Sequence, residues 1–208
     1  MRQISITIAL ILFSLVVFSQ KNIKLPEPKK TGGMPLMEAL ANRSTSRSFN
    51  TKSLSHQQLS NLLWAAFGIN RSDGKRTAPS SNNLQETSIY VLLKTGVYLW
   101  DPKTNVLNHL SENDVRSYGG TQDFVATAPV QLILVGDISD MGYGTEADKL
   151  NTANIDAGYI SQNIYLYCAS EGLATGARAS IDKVALGLSL KIKPGQFIMI
   201  AHCVGYPK

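Results

Sequence analysis

The stretch that most restricts the fold lies between Pro129 and Gly136, where the run from Val130 to Val135 is apolar at nearly every position. Six residues are too few for an independent helix, and an apolar run of that length between two chain breakers suits a strand buried on both faces. Such a strand belongs inside a sheet packed by helices. The neighbouring sequence supplies both. Ile89 to Leu93 reads as a strand, and Lys94-Thr95-Gly96 turns the chain into a second strand at Val97 to Trp100. A further turn at Asp101-Pro102-Lys103-Thr104-Asn105 leads to Val106-Leu107, and short strands at 174–177 and 197–204 flank a small helix around Asp182 to Leu188.

Helices are marked by periodicity and caps. Ser55 with Gln58 three residues later forms a capping box, Leu54 can staple against Leu59, and Leu59, Leu62, Leu63, Ala66 and Phe67 recur at helical spacing. A short helix is expected from Pro35 to Asn42. A long one, capped by Asn151 or Thr152 and closed at Gly172, carries Ile155, Tyr159, Ile160, Asn163, Ile164, Tyr167 and Cys168. Apolar around most of its circumference, it belongs in a core or a subunit interface. Strands and helices mixed in this way, with hairpin-like turns, define an α+β fold.

The first residues belong to a different argument. Met1-Arg2-Gln3 precedes an apolar run from Ile4 to Phe18 that ends in Ser19-Gln20, the layout of a signal peptide over residues 1–20. An uncleaved anchor is the alternative, although the run is short for a membrane span. Cleavage would export the protein to the periplasm or medium, without stable membrane association, as a chain of about 188 residues, enough for one domain. Residues 21–33, with Pro26, Pro28, Gly32 and Gly33, read as a flexible arm, and the domain is expected over 34–208. Lys21, Lys24, Lys29 and Lys30 in that arm account for much of the +5 formal charge, so the charge marks no nucleic-acid surface. Apolar residues at 44% and charged residues at 17% exclude a disordered chain. Cys168 and Cys203 lie in apolar stretches and suit small buried hydrophobes; export would permit a disulfide, but spacing does not decide it.

Chemistry has few places to sit. His56, His109 and His202 share no spacing suited to metal ligation, and Gly119-Gly120 and Gly142-Tyr143-Gly144 do not follow strands as a dinucleotide loop would. The loop from Asn70 to Asn83 is long for a compact domain. Arg43-Ser44-Thr45-Ser46-Arg47 puts two guanidinium groups and three hydroxyls on adjacent residues. Forked permanent cations with hydroxyl donors can hold a phosphate; a solvated basic loop has the same composition.

Arg43-Ser44-Thr45-Ser46-Arg47-Ser48-Phe49 resembles the N-terminal flavin motif of the nitroreductase family. Ala78-Pro79-Ser80-Ser81-Asn82-Asn83-Leu84-Gln85 is similar to the family's Pro-Ser-Ser-x-Asn-x-Gln segment, Glu171 to Arg178 to its helix end and following strand, and Val204-Gly205-Tyr206-Pro207 to its ending. The resemblance implies a mixed, mainly antiparallel sheet flanked by helices, in a homodimer with FMN at the subunit interface. It places Arg43, Ser44 and Thr45 at the phosphate or ribityl end and Arg47 at the pyrimidine edge. Ser81, Asn83 and Gln85 lie along the ring, Ala179 and Ser180 offer backbone amides, and Arg178 and Lys208 stand near the cofactor. The implied activity is ping-pong transfer from a small electron donor to a nitroaromatic, quinone or similar electrophile. A flavin-dependent oxidase and a non-catalytic flavin binder are the alternatives.

Overall fold

The computed structural model describes residues 22–208, so the signal-peptide expectation lies outside the described residues. Seven strands form one sheet in the order β1-β4-β3-β2-β5-β7-β6, and every pairing between neighbours is antiparallel. They are β1 (Ile23–Lys24), β2 (Thr87–Leu93), β3 (Gly96–Asp101), β4 (Val106–Ser111), β5 (Val130–Asp137), β6 (Ala174–Arg178) and β7 (Gln196–Gly205). The helices are α1 (Leu36–Asn42), α2 (His56–Phe67), α3 (Asp123–Thr127), α4 (Glu146–Ser170) and α5 (Lys183–Leu190). The α+β expectation therefore holds.

β5 sits inside the sheet, between β2 and β7, and is buried from Val130 to Gly136. Its side chains alternate, as strand geometry requires. Val130, Leu132 and Leu134 join the core under α2 and α4, while Ile133 and Val135 join a second core with Leu186 and Leu190 of α5. β2 divides in the same way, with Ile89 and Val91 on one face and Tyr90 and Leu92 on the other. Full burial of each such aliphatic side chain stabilises by about 1.5–3 kcal/mol, so these two strands join the layers.

α2 begins as its sequence indicates. The Ser55 hydroxyl accepts from the Gln58 amide, the Gln58 side chain accepts from the Ser55 amide, and Leu54 and Leu59 share the main core. α4 starts earlier than expected. Thr145 caps it through a second capping box with Asp148, and the helix runs for 25 residues. Its first turn is polar, so apolar periodicity only becomes visible a turn and a half later. The helix is also less apolar on its circumference than expected: Ala153, Asp156, Ala157, Ile160, Ser161, Ile164 and Cys168 form one buried stripe, whereas Ile155 and Tyr159 are about half exposed.

Residues 23–30 differ from the expected flexible arm. Ile23 and Lys24 pair with Leu107 and Val106, and Leu25 is buried in the main core. The Pro26 carbonyl accepts from Ser60 Oγ (2.5 Å) and Asn105 Nδ2 (2.8 Å), and the Lys29 amide donates to Asn61 Oδ1 (2.8 Å). Proline and lysine content suggests a loose leader, but one buried leucine and these hydrogen bonds hold the segment down. Cys168 and Cys203 are both buried free thiols.

At the other sheet edge, the segment Arg43–Phe49 crosses β6. The Ser46 amide donates to the Thr175 carbonyl (2.8 Å), and Phe49 forms an antiparallel bridge with Pro207. The crossing is close enough that a Cβ at Gly176 would stand 2.6 Å from the Ser46 carbonyl oxygen. Backbone cannot yield there as a flexible side chain would. Gly176→Ala is expected to destabilise the protein by about 1–3 kcal/mol and to loosen the 43–49 segment, read as a lower urea midpoint and faster amide exchange at Ser46.

Candidate functional site

The residues expected to hold a cofactor form two groups in one chain. The first surrounds the end of β6. Arg43 follows the last turn of α1, its amide bonded to the Ala39 carbonyl, and its guanidinium lies over the Tyr165 ring at 5.3 Å from the centroid. Thr45 Oγ1 is 3.0 Å from the Tyr165 hydroxyl, which also accepts from the Ala177 amide at 2.9 Å. Ser44 and Arg47 are exposed on the same crossing segment. A cavity of about 170 Å³ opens here, lined by Thr45, Arg47, Gly176, Arg178, Ala179 and Ser180 among others. The bridge between Phe49 and Pro207 brings the chain end, with exposed Lys208, alongside the same segment.

Arg178, expected near the cofactor, is among the residues at the cavity, but its guanidinium turns inward. Nε and Nη2 donate to the Gly119 carbonyl at 3.1 and 2.9 Å, Nη2 to Gln131 Oε1 at 3.3 Å, and Nη1 to Cys203 Sγ at 2.8 Å. The residue is 7% exposed. With its donors taken by carbonyls and sulfur, the side chain braces β6 against the 116–119 turn, and residues 177–180 line the cavity. Burial pushes the Cys203 thiol up to about 11, although the adjacent Arg178 charge acts the other way.

Below this site lies a polar chain inside the core. The Thr175 hydroxyl donates to the Cys203 carbonyl (2.8 Å), so at its 3.1 Å contact with His202 Nδ1 it accepts. His202 therefore carries its proton on Nδ1, and Nε2 accepts from Ser161 Oγ at 2.8 Å. Burial first, and the Arg178 charge second, keep the imidazole neutral, with its pKa pushed down to about 3. His202, expected to be structural, is fully buried.

The second group is the 81–85 segment. Ser81 donates its amide to Asp156 Oδ2 (2.8 Å), and its hydroxyl lies 2.9 Å from that of Tyr143. Asn82, Asn83 and Gln85 have φ of 50°, 55° and 53°, left-handed values that non-glycine residues adopt at a cost. What holds them is a ring of hydrogen bonds. Arg76 Nε donates to Gln85 Oε1 (2.7 Å), and Gln85 Nε2 donates to the Gly74 carbonyl (3.2 Å) and Asn83 Oδ1 (3.1 Å). The side-chain amide of Gln85, expected along the cofactor ring, is thus engaged within the loop. Asn83 is exposed, and acceptance at Oδ1 leaves its Nδ2 to donate elsewhere. The long loop at 70–83 is folded as well, with a bridge from Ile69 to Arg76 and a 3-10 turn at Ser81–Asn83.

The two groups attach to α4 at Asp156 and Tyr165. Nine residues of helix separate these anchors by roughly 13 Å and half a revolution. One chain does not bring Arg43 and Arg47 together with Asn83. Tyr165, Asp156 and Arg76 organise the groups, and none stands out in the sequence: Tyr165 falls among several aromatic helix residues, and the other two are ordinary charges until the fold places them.

The sequence profile of the nitroreductase family matches residues 40–206, and the chain belongs to that family. It is an α+β oxidoreductase of this class. A protein named as a candidate nitroreductase from Methanocaldococcus jannaschii is 26% identical over 183 residues, covering 82% of this chain and 90% of that one. The crystal structure of a candidate nitroreductase from Ralstonia eutropha is 36% identical, with a TM-score of 0.86 over 93% of this chain and 92% of that one. A candidate NADH oxidase from Clostridium acetobutylicum shares the fold at 21% identity, with a TM-score of 0.59 over 82% of this chain and 87% of that one.

The depressed pKa of His202 fixes the sign of one pH effect. Unfolded, an ordinary histidine binds a proton below about 6.5, whereas folded His202 does not until about pH 3. Its contribution is therefore present above pH 6.5 and is lost as pH falls toward 3, at a slope on the order of 1 kcal/mol per pH unit. Urea unfolding at pH 7 and pH 5 should show this loss, and His202→Gln should flatten it.

Proposed function

We propose that the protein is an exported FMN-dependent oxidoreductase that works as a homodimer and reduces nitroaromatic, quinone-like or other conjugated electrophiles with electrons from a small-molecule donor. The observation that carries this reading is that Thr45 and Arg47 line the cavity at residues 177–180, while Arg43 lies over the ring of Tyr165, whose hydroxyl contacts Thr45. That donor set suits a phosphorylated flavin. Two permanent cations and hydroxyls match a phosphate, and backbone amides at the end of β6 can donate to a ring edge without a titrating acid.

Arg43, Ser44 and Thr45 would hold the phosphate or ribityl end, with Lys208 near them. Arg47 would set a positive charge at the pyrimidine edge, and the backbone of Ala179 and Ser180 would meet the rest of the ring. FMN, when bound, supplies the hydride chemistry that side chains lack. The protein's part is to bind, orient and bias charge, which is electrostatic work done in advance of the reaction.

A second copy of the chain completes the site in this reading. The cavity of about 170 Å³ is smaller than the roughly 300–1,000 Å³ of a full small-molecule pocket. Ser81 and Asn83 lie on the other side of α4, where they would serve the partner's site. Leu36, Met37 and Leu40 of α1 and Ile155 and Tyr159 of α4 are all more than 40% exposed on helices that pack together, an apolar surface suited to burial between two copies.

Visible absorption and sedimentation of purified protein test the whole reading. A yellow dimer, bleached by a reduced nicotinamide under anaerobic conditions and recoloured by a nitroaromatic, is the expected result; a colourless protein that takes up no FMN ends the proposal. Arg43→Ala should weaken FMN retention by about 1.5–3 kcal/mol, measured by fluorescence titration of apoprotein. Arg47→Ala should lower the midpoint potential of bound flavin, measured by spectroelectrochemistry, because a cation beside the developing negative charge has gone.

A further inference from the structure

Tyr165 stands at the junction of every element that builds the proposed phosphate end. It lies on α4, half-buried, with the Arg43 guanidinium on its ring at 5.3 Å and His202 edge-on at 5.2 Å and 74°. Its hydroxyl reaches both β6, through the Ala177 amide, and the crossing segment, through Thr45 Oγ1.

The protons in this group can be placed. The Ala177 amide has only a hydrogen to give, so the phenolic oxygen accepts it at 2.9 Å. A phenolic oxygen shares electron density with its ring and is a poor double acceptor. Its own proton is therefore donated across the 3.0 Å contact to Thr45 Oγ1. With that lone pair occupied, the Thr45 hydroxyl proton is turned away from Tyr165 and is left to donate to another acceptor. The ring meanwhile holds Arg43 by cation–π contact. His202, fixed between Ser161 and Thr175, walls the ring in on another side.

Resting on the FMN reading above, we infer that Tyr165 is the positioning residue of the phosphate end: it aims the Thr45 hydroxyl outward as a donor and holds the Arg43 guanidinium beside it. No contact between Tyr165 and the cofactor is required. The role is to remove alternative orientations of two flexible side chains before binding, so the effect belongs to the phosphate and not to the ring.

That separation gives the test. Tyr165→Phe keeps the aromatic ring and deletes one hydroxyl. Apoprotein of wild type and variant is titrated with FMN and with riboflavin, which has the same ring and no phosphate. The expected result is a Kd for FMN raised roughly tenfold, a Kd for riboflavin unchanged, and a thermal midpoint within a degree or two of wild type. Thr45→Val approaches the same hydrogen bond from its other end. It should lower the FMN preference likewise, and the double variant should lose little more than either alone. Equal losses for both flavins, or no loss for either, would overturn the inference. Wild-type protein that binds both flavins equally would sink it while leaving a flavin site intact. Wild-type protein that binds neither would remove the cofactor reading itself.

Discussion

Everything in this molecule is referred to β5, the strand that has no solvent face. Its alternate side chains enter two separate cores, one beneath α2 and α4 and one beneath α5, so both layers are positioned against the same backbone. A shift of one residue in its pairing would exchange the two cores, which forces the register with β2 and β7. Once β7 is fixed, β6 pairs with it at the sheet edge, and the end of β6 is where the proposed site is built.

The edge strand solves two problems at once. An unpaired edge is open to other chains, and here the Arg43–Phe49 segment covers part of it by bonding to Thr175 and by closing over Gly176. That cover also presents the basic residues. Thr45 and Arg47 are brought to the cavity and Arg43 to the Tyr165 ring by backbone packing, and they need no secondary structure of their own. The buried Arg178 and His202 stiffen the floor beneath: one spreads its donors over carbonyls and a thiol, and the other is a neutral link between α4 and β6.

α4 sets the spacing of the molecule's polar features. Asp156 fixes the strained 81–85 segment near its middle, and Tyr165 fixes the crossing segment two and a half turns later. A rigid helix keeps these two groups apart within a chain. That separation is the physical reason the proposed function calls on a second copy of the chain, since neither group alone surrounds a flavin-sized space.

Much of this was legible in the residues. The apolar run at 130–135, the Ser55 capping box and the hairpin at 89–100 each follow from local rules, and the structure agrees with them. Arg43 to Arg47 could be recognised as a basic, hydroxyl-rich segment, and the family motifs in order identified the class. The start of α4 was hidden because its capping box introduces a polar turn, and the 21–33 segment looked loose because a single buried leucine gives no period. Side-chain direction was beyond reach. Where an arginine points depends on what lies within a few ångströms: Arg178 turns to the Gly119 carbonyl, whereas Arg43 lies over the Tyr165 ring. Local periodicity and capping act over a few residues and are written in the chain. The pairing of Tyr165 with Thr45, 120 positions apart, exists only because two cores sharing one strand bring a helix, a sheet edge and a crossing segment to the same place.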